Sequence, residues 1–212
     1  MNPRSVLLLV LATALAMPTG QASAQLIAVD PGHGGADPGG TGCGREEEDI
    51  VLDTSIRLQA LLLGAGFEVL MTRTDDRAVA LSARSSLANS RGADRFVSIH
   101  SNANAGTPAT GTETFVSESP SANSVALQGL IQEEMIAAWG LRDRGSKRAN
   151  FSVLTNTTMP ATLSEMGFIN HCEIDSPLLG SPERRQEMAQ AHFNAIMRHY
   201  GRDPGMPPTG MG

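Results

Sequence analysis

The chain is expected to fold as an α/β domain, a mostly parallel sheet flanked by helices. Two observations predict it. Short apolar runs of strand length alternate with longer segments whose apolar residues recur at helical spacing, and this alternation is the pattern of βαβ units. No internal repeat interrupts the alternation, so one continuous domain accounts for it.

Leu26–Val29 reads as the first strand, stopped by Asp30-Pro31-Gly32. From Glu47 onward Ile50, Val51, Ile56, Leu58, Leu61 and Leu62 follow helical spacing, and Gly64 and Gly66 end the helix. Phe67–Met71 is a second strand, Leu81–Arg91 a second helix closed by Gly92, and Phe96–Ile99 a third strand running into His100. Thr112–Val116 alternates like a half-exposed strand. Asn123–Trp139 is a helix with Val125, Leu127, Leu130, Ile131 and Met135 facing inward. Phe151–Leu154 and Ala161–Leu163 read as two further strands across a Thr/Asn/Pro turn. Pro182–Tyr200 is the last helix, with proline suited to its first turn. The domain spans 25–200, and the Pro/Gly-rich stretch 201–212 is expected to be a flexible tail without core residues.

Composition narrows the function. Apolar residues make up 41% and charged residues 18%, an ordinary globular balance, while aromatics at 4% leave the core to aliphatic side chains. The net charge of -6 and the scattered arginines provide no basic stripe, which argues against nucleic acid as a partner. Residues 1–24 have the three parts of a signal peptide: Arg4, an apolar run from Val6 to Met17, and the small-x-small site Ala22-Ser23-Ala24. The apolar run is short for a bilayer span, so the mature chain is expected to carry no transmembrane segment. Export to the periplasm, or alternatively to the extracellular space, places Cys43 and Cys172 in an oxidising compartment, although sequence does not set the distance between them. Nothing calls for more than a monomer.

Four short stretches carry the candidate chemistry. Asp30-Pro31-Gly32-His33-Gly34-Gly35 places a histidine among glycines after a strand. A phosphate cradle is disfavoured there, because the glycines continue to Gly44 before any helix begins. Glu46-Glu47-Glu48-Asp49 opens the first long helix; the helix dipole explains most of these acids, and a metal site would use one. His100 ends a strand, a position where a lone histidine is more often a hydrogen-bonding residue than a ligand. Glu165 closes an apolar run, where a carboxylate is costly without a partner or a metal. In an open parallel sheet all four can face the crevice at the carboxyl ends of the strands. Two histidines and a glutamate form a known zinc ligand set, and a further glutamate can then serve as general acid/base for amide hydrolysis.

These stretches together resemble the zinc-dependent N-acetylmuramoyl-L-alanine amidases of the AmiC type, from Leu26 to about Tyr200. The resemblance rests on Val29-Asp30-Pro31-Gly32-His33-Gly34-Gly35, Glu47-Glu48-Asp49-Ile50-Val51-Leu52, Thr72-Arg73 and Leu81-Ser82-Ala83-Arg84. It continues through Ser98-Ile99-His100-Ser101-Asn102, Gly111-Thr112-Glu113, Arg144-Gly145-Ser146-Lys147, Phe151-Ser152-Val153-Leu154, Met159-Pro160-Ala161 and Glu165-Met166-Gly167-Phe168. It implies a twisted, mostly parallel six-stranded sheet with helices on both faces. It also implies zinc held by His33, Glu47 and His100, Glu165 as acid/base, and Glu46 and Glu48 as surface charges. The implied substrate is peptidoglycan, cut between N-acetylmuramic acid and L-alanine. Arg73, Arg84 and Asn102 match family positions as candidate substrate contacts, with structural roles as the alternative.

Two departures stand out. After Phe168 the chain reads Ile169-Asn170-His171-Cys172-Glu173, where the family usually has Ile/Leu-Ser-Asn-Pro-Glu. A Cys43–Cys172 bridge is expected to tie this loop to the one before Glu47. Between His100 and Arg144 there is room for one strand and one helix, not for the long plugging insertion of division amidases, so activity without an activator is expected. The same residues would suit a zinc peptidase cutting within the stem peptide, or a non-catalytic murein-binding protein.

Overall fold

The structure, a computed structural model, describes residues 24–106 and 109–205. The segment read as a signal peptide therefore lies outside the described residues, except for Ala24, as does the end of the expected tail. The main sheet has six strands: β1 (Leu26–Pro31), β4 (Glu68–Met71), β5 (Arg95–Asn102), β6 (Thr112–Val116), β7 (Asp143–Arg148) and β8 (Ala161–Phe168). A two-stranded hairpin, β2 (Thr41–Gly42) with β3 (Arg45–Glu46), sits between the first strand and the first helix. The helices are α1 (Glu47–Gly64), α2 (Leu81–Ser90), α3 (Ala122–Trp139), α4 (Ser152–Thr155), α5 (Asp175–Gly180) and α6 (Pro182–His199).

The strand order is β4-β1-β5-β8-β6-β7. The first four strands are parallel; β6 runs antiparallel to β8, and β7 follows β6 in parallel. The chain passes from β1 out to β4 and then crosses back to β5 on β1's other side. This reversal opens a crevice at the carboxyl ends of β1 and β5, where an open α/β sheet binds its ligands.

Two apolar layers cover the sheet. Ile27, Val29, Val97, Ile99 and Met166 pack with α1, α3 and α6 on one face, and Ala28, Phe96, Ala161 and Leu163 pack with α2 and α4 on the other. Alternate residues of β1 thus serve opposite layers, as the two-residue period of a strand requires. In α3, Leu127, Ile131, Met135 and Trp139 recur every fourth residue and are buried, while Gln128 and Gln132 donate to strand carbonyls at Thr114, Lys147 and Thr112.

The structure corrects four sequence expectations. Phe151–Leu154 is not a strand: it is the N-cap and first turns of α4, closed by Leu154 and Thr155 N–H groups on the Phe151 carbonyl. Four apolar-alternating residues are too few for periodicity to separate strand from helix. The sixth strand is instead β7, which contains no large apolar residue and is an edge strand, where charge is favoured. Val125 is 46% exposed, because it stands two residues, about 200° of helix, from the buried Leu127. Glu48 is buried beside Asp76 rather than a surface charge; burial first, and then the neighbouring Asp76, raise its carboxyl above the usual range.

Candidate metal centre and active site

Three side chains converge in the crevice. His33 follows β1, Glu47 is the first residue of α1, and His100 lies on β5. Their ligand atoms all lie within 4.8 Å of one another, the one such group of His, Cys, Asp and Glu among the described residues. Glu47 Oε1 is 3.2 Å from His33 Nε2 and 3.0 Å from His100 Nδ1.

The local backbone exists to bring them there. His33 has φ 59°, a region non-glycine residues rarely occupy, and such outliers persist where the surroundings over-determine them. The surroundings here are two buried arginines. Arg84 donates to the Pro31 and His33 carbonyls and pairs with buried Asp30 at 2.9 Å. Arg73 donates to the Pro31, Gly32, Glu48 and Asp75 carbonyls. Asp30 is closed by the Thr72 and Ser98 hydroxyls at 2.6 and 2.7 Å. Glycine at position 32 is dictated by His100, since a Cβ there would lie 2.2 Å from the imidazole Cε1.

Glu47 is seated with equal care. Its Oε2 accepts from the Gly40 N–H at 2.7 Å and its Oε1 from the Ser101 N–H at 2.9 Å. The first two N–H groups of α1, at Glu47 and Glu48, donate to the Gly40 and Pro38 carbonyls, so the helix start is fixed to the loop. Burial alone would raise the Glu47 carboxyl, but hydrogen bonds and charge from His100 and His33 outweigh it and lower the pKa to about 2. Burial likewise pulls His33 down, while Glu47 and then Asp37 overcome it and raise the imidazole to about 9. Asp37 Oδ2 lies 2.9 Å from His33 Nδ1. That contact orients the ring and leaves Nε2 toward Glu47, the arrangement a metal-binding histidine needs.

Glu165 sits in the middle of β8, whose strand runs past the expected Leu163 to Phe168. It stands opposite His100 on β5 and opposite Glu113 on β6, so the three side chains share one sheet face. Its Oε2 is shielded from solvent and has no hydrogen-bond partner among the described residues. Burial, followed by the charges of Glu47 and Glu113, holds the carboxyl well above the usual range. A cavity of about 750 Å³ opens over His33, His100 and Glu165, with apolar walls from Val79, Leu81, Phe151, Val153 and Leu163.

Asn102 donates through Nδ2 to Glu113 Oε1 at 2.7 Å. Arg73 and Arg84 are nearly inaccessible, 2% and 3% exposed, with their guanidinium groups turned to the loop backbone. His171 is outside the metal cluster and accepts from the Ile174 N–H. Cys43 and Cys172 are joined by a disulfide, with Cα atoms 5.5 Å apart. Sequence reasoning gave no role to Asp37, Glu113, Arg144 or Lys147. Asp37, four residues after His33, was the more accessible of these, whereas the Glu113 cluster depends on strand pairing that sequence does not display.

Comparison with known proteins now decides the family. Residues 27–198 match the family model described as N-acetylmuramoyl-L-alanine amidase. The chain belongs to that family. It is 39% identical over 176 residues to the N-acetylmuramoyl-L-alanine amidase CwlM of Bacillus licheniformis, covering 82% of this chain and 68% of the relative. It is 40% identical over 176 residues to the sporulation-specific amidase of Bacillus subtilis strain 168, with the same coverage. Among solved structures, the N-acetylmuramoyl-L-alanine amidase of Clostridium difficile 630 superposes with a TM-score of 0.82 at 32% identity, over 85% of this chain and 98% of that one.

Proposed function

We propose that this family member is a zinc-dependent N-acetylmuramoyl-L-alanine amidase, hydrolysing the amide between the lactyl group of N-acetylmuramic acid and the L-alanine of the peptidoglycan stem peptide. The observation that supports it most is the convergence of His33, Glu47 and His100 beside a shielded Glu165 oxygen that has no hydrogen-bond partner among the described residues. Two imidazoles and one carboxylate suit zinc, and Asp37 supplies the supporting contact that such histidines carry. When bound, zinc would supply Lewis acidity, polarising the amide carbonyl and acidifying water.

The chain's own residues do the rest. Glu165 Oε2 takes a proton from the attacking water and delivers it to the leaving amide nitrogen, a transfer favoured by a raised carboxyl pKa. Arg73, Arg84 and Asp30 fix the His33 loop, and Asn102 orients Glu113 beside Glu165; we assign all four to positioning rather than to direct substrate contact. The apolar walls at Leu81 and Phe151 limit water in the cleft. Export of residues 25–212 to the periplasm fits this substrate. Among the described residues β6 and α3 are the elements between β5 and β7, which supports a site that works without an activator.

The test is Glu165→Gln, which preserves shape and removes the proton carrier. The variant is expected to keep one zinc per chain and lose about 10²–10⁴-fold in turnover of a muramoyl-L-alanyl peptide. Undiminished turnover would remove Glu165 from the mechanism. A product cut inside the peptide would instead make the protein a zinc peptidase.

A further inference from the structure

The sheet face that carries Glu165 is covered over only half its width. There α2 and α4 pack over the β1–β5–β8 side, whereas the helix in substantial contact with β6 and β7 among the described residues is α3, on the other face. Phe151 of the α4 N-cap rests against Phe115 of β6, ring centroids 5.1 Å apart, and marks the edge of that cover. Beyond it no further helix packs on the face among the described residues, and the face holds a compact charged group.

The group is centred on Glu113, 4% exposed and opposite Glu165 in the β6–β8 pairing. Glu113 Oε2 accepts from Arg144 Nε at 2.9 Å and from Lys147 Nζ, while Oε1 accepts from Asn102. Arg144 and Lys147 are three residues apart and in a regular strand would point to opposite faces. The register with β6 slips between Thr112 and Thr114, with Gly145 at φ 85°, and this bulge turns both cations onto the Glu113 face. Two cations on one carboxylate leave one positive charge over. Their side chains remain 26% and 38% exposed, so both cations can be reached from solvent.

We propose that Arg144 and Lys147 form a carboxylate-reading subsite for the peptide half of the substrate, a reading that rests on the amidase function proposed above. They stand two strands from Glu165, roughly 10 Å across the sheet. That span is about three residues of extended peptide from the attacked bond. The chemistry selects the half of the substrate addressed. The lactyl carboxyl of the muramic acid is consumed in the scissile amide, and the remaining glycan groups are hydroxyls and acetamides. A free carboxylate within reach therefore belongs to the stem peptide. Lys147 supplies the point charge, and Arg144, held by Glu113 through Nε and by the Thr110 carbonyl through Nη1 and lying 4.8 Å over the Phe168 ring, presents its Nη2 donors in a fixed plane.

The test uses a set of synthetic muramoyl peptides in which each stem-peptide carboxylate is replaced in turn by its carboxamide. Wild type is expected to show a KM about tenfold higher for one member of the set, with kcat little changed, as loss of one charge-assisted hydrogen bond implies. Lys147→Gln should narrow that discrimination, Lys147→Arg should retain it, and raised salt should weaken it. Thermal melts of both variants verify that they are folded. Equal KM values across the set in wild type, or discrimination that Lys147→Gln leaves intact, would overturn the subsite alone. If no member of the set is cleaved, the amidase reading fails and the subsite with it.

Discussion

The Cys43–Cys172 bridge joins residues 129 apart in sequence and so closes most of the domain into one loop. Replacing both cysteines by serine frees the unfolded chain, and the loop-entropy relation sets the expected loss at about 5 kcal/mol at 25 °C. That is an upper figure, since residual structure in the unfolded chain lowers it, yet it is a large share of the roughly 5–15 kcal/mol that holds a domain folded. The local packing supports a real effect in the native state as well. Gly42 lies so close to Asn170 that an added Cβ would stand 2.6 Å from its Cα, so the loops joined by the bridge are already in contact. Trp139, the single tryptophan, is buried between α3 and α6 and donates to the Arg184 carbonyl at 3.0 Å, which makes its fluorescence a reporter of global unfolding. Urea titrations should be run on metal-free protein so that any bound metal does not add to apparent stability. The expected result is a loss of about 3–5 kcal/mol for Cys43→Ser/Cys172→Ser, matched by wild type under reductant. A double variant within about 1 kcal/mol of wild type would show that the bridge contributes little to stability.

Three further outcomes follow from the geometry. His192 is fully buried, with Nδ1 donating to the Met188 carbonyl and Nε2 accepting from Ser164, and burial lowers its pKa to about 4. Because the unfolded chain binds this proton more readily, its stabilising contribution is complete above about pH 6.5 and is lost as pH falls toward 4. The loss is about 3 kcal/mol, and metal-free pH-stability curves of wild type and His192→Gln should differ by a slope confined to that window. Asp37→Asn weakens the contact that orients His33 and should lower zinc affinity about 10–100-fold in chelator competition while leaving the urea midpoint nearly unchanged. Gly32→Ala drives a methyl into the His100 ring, so zinc affinity should fall about tenfold or more, whereas Gly44→Ala, with open space around its Cβ, should leave metal binding alone despite some backbone strain.

The fold was readable where residues pack and unreadable where they do not. The four parallel strands are apolar runs bounded by turn residues, and their pattern is visible because each is buried on at least one face. Strand β7 is invisible to that logic: Asp143-Arg144-Gly145-Ser146-Lys147-Arg148 forms an exposed edge held by backbone pairing and by Glu113. Phe151 misled in the opposite direction, since it is apolar yet sits at a helix cap over the cleft, 38% exposed. At the site, a loop after β1, a helix start and the β5–β8 pairing that sets His100 opposite Glu165 bring His33, Glu47, His100 and Glu165 to one crevice; only the loop and the helix start were legible in the sequence. Which of the neighbouring acids is buried is a tertiary fact. Glu48, beside Glu47 in sequence, is buried against Asp76, and Glu113 becomes a site residue only through its pairing opposite Glu165.

Metal-dependent amidase activity is tested by digestion of purified murein sacculi by residues 25–212, with and without a chelator and with zinc restored, followed by mass spectrometry of the soluble products. Free stem peptides beginning with an L-alanine amino terminus are expected, released by the zinc-loaded protein and lost on chelation. Intact sacculi in the presence of zinc-loaded protein, or the same release after complete removal of the metal, would contradict that activity.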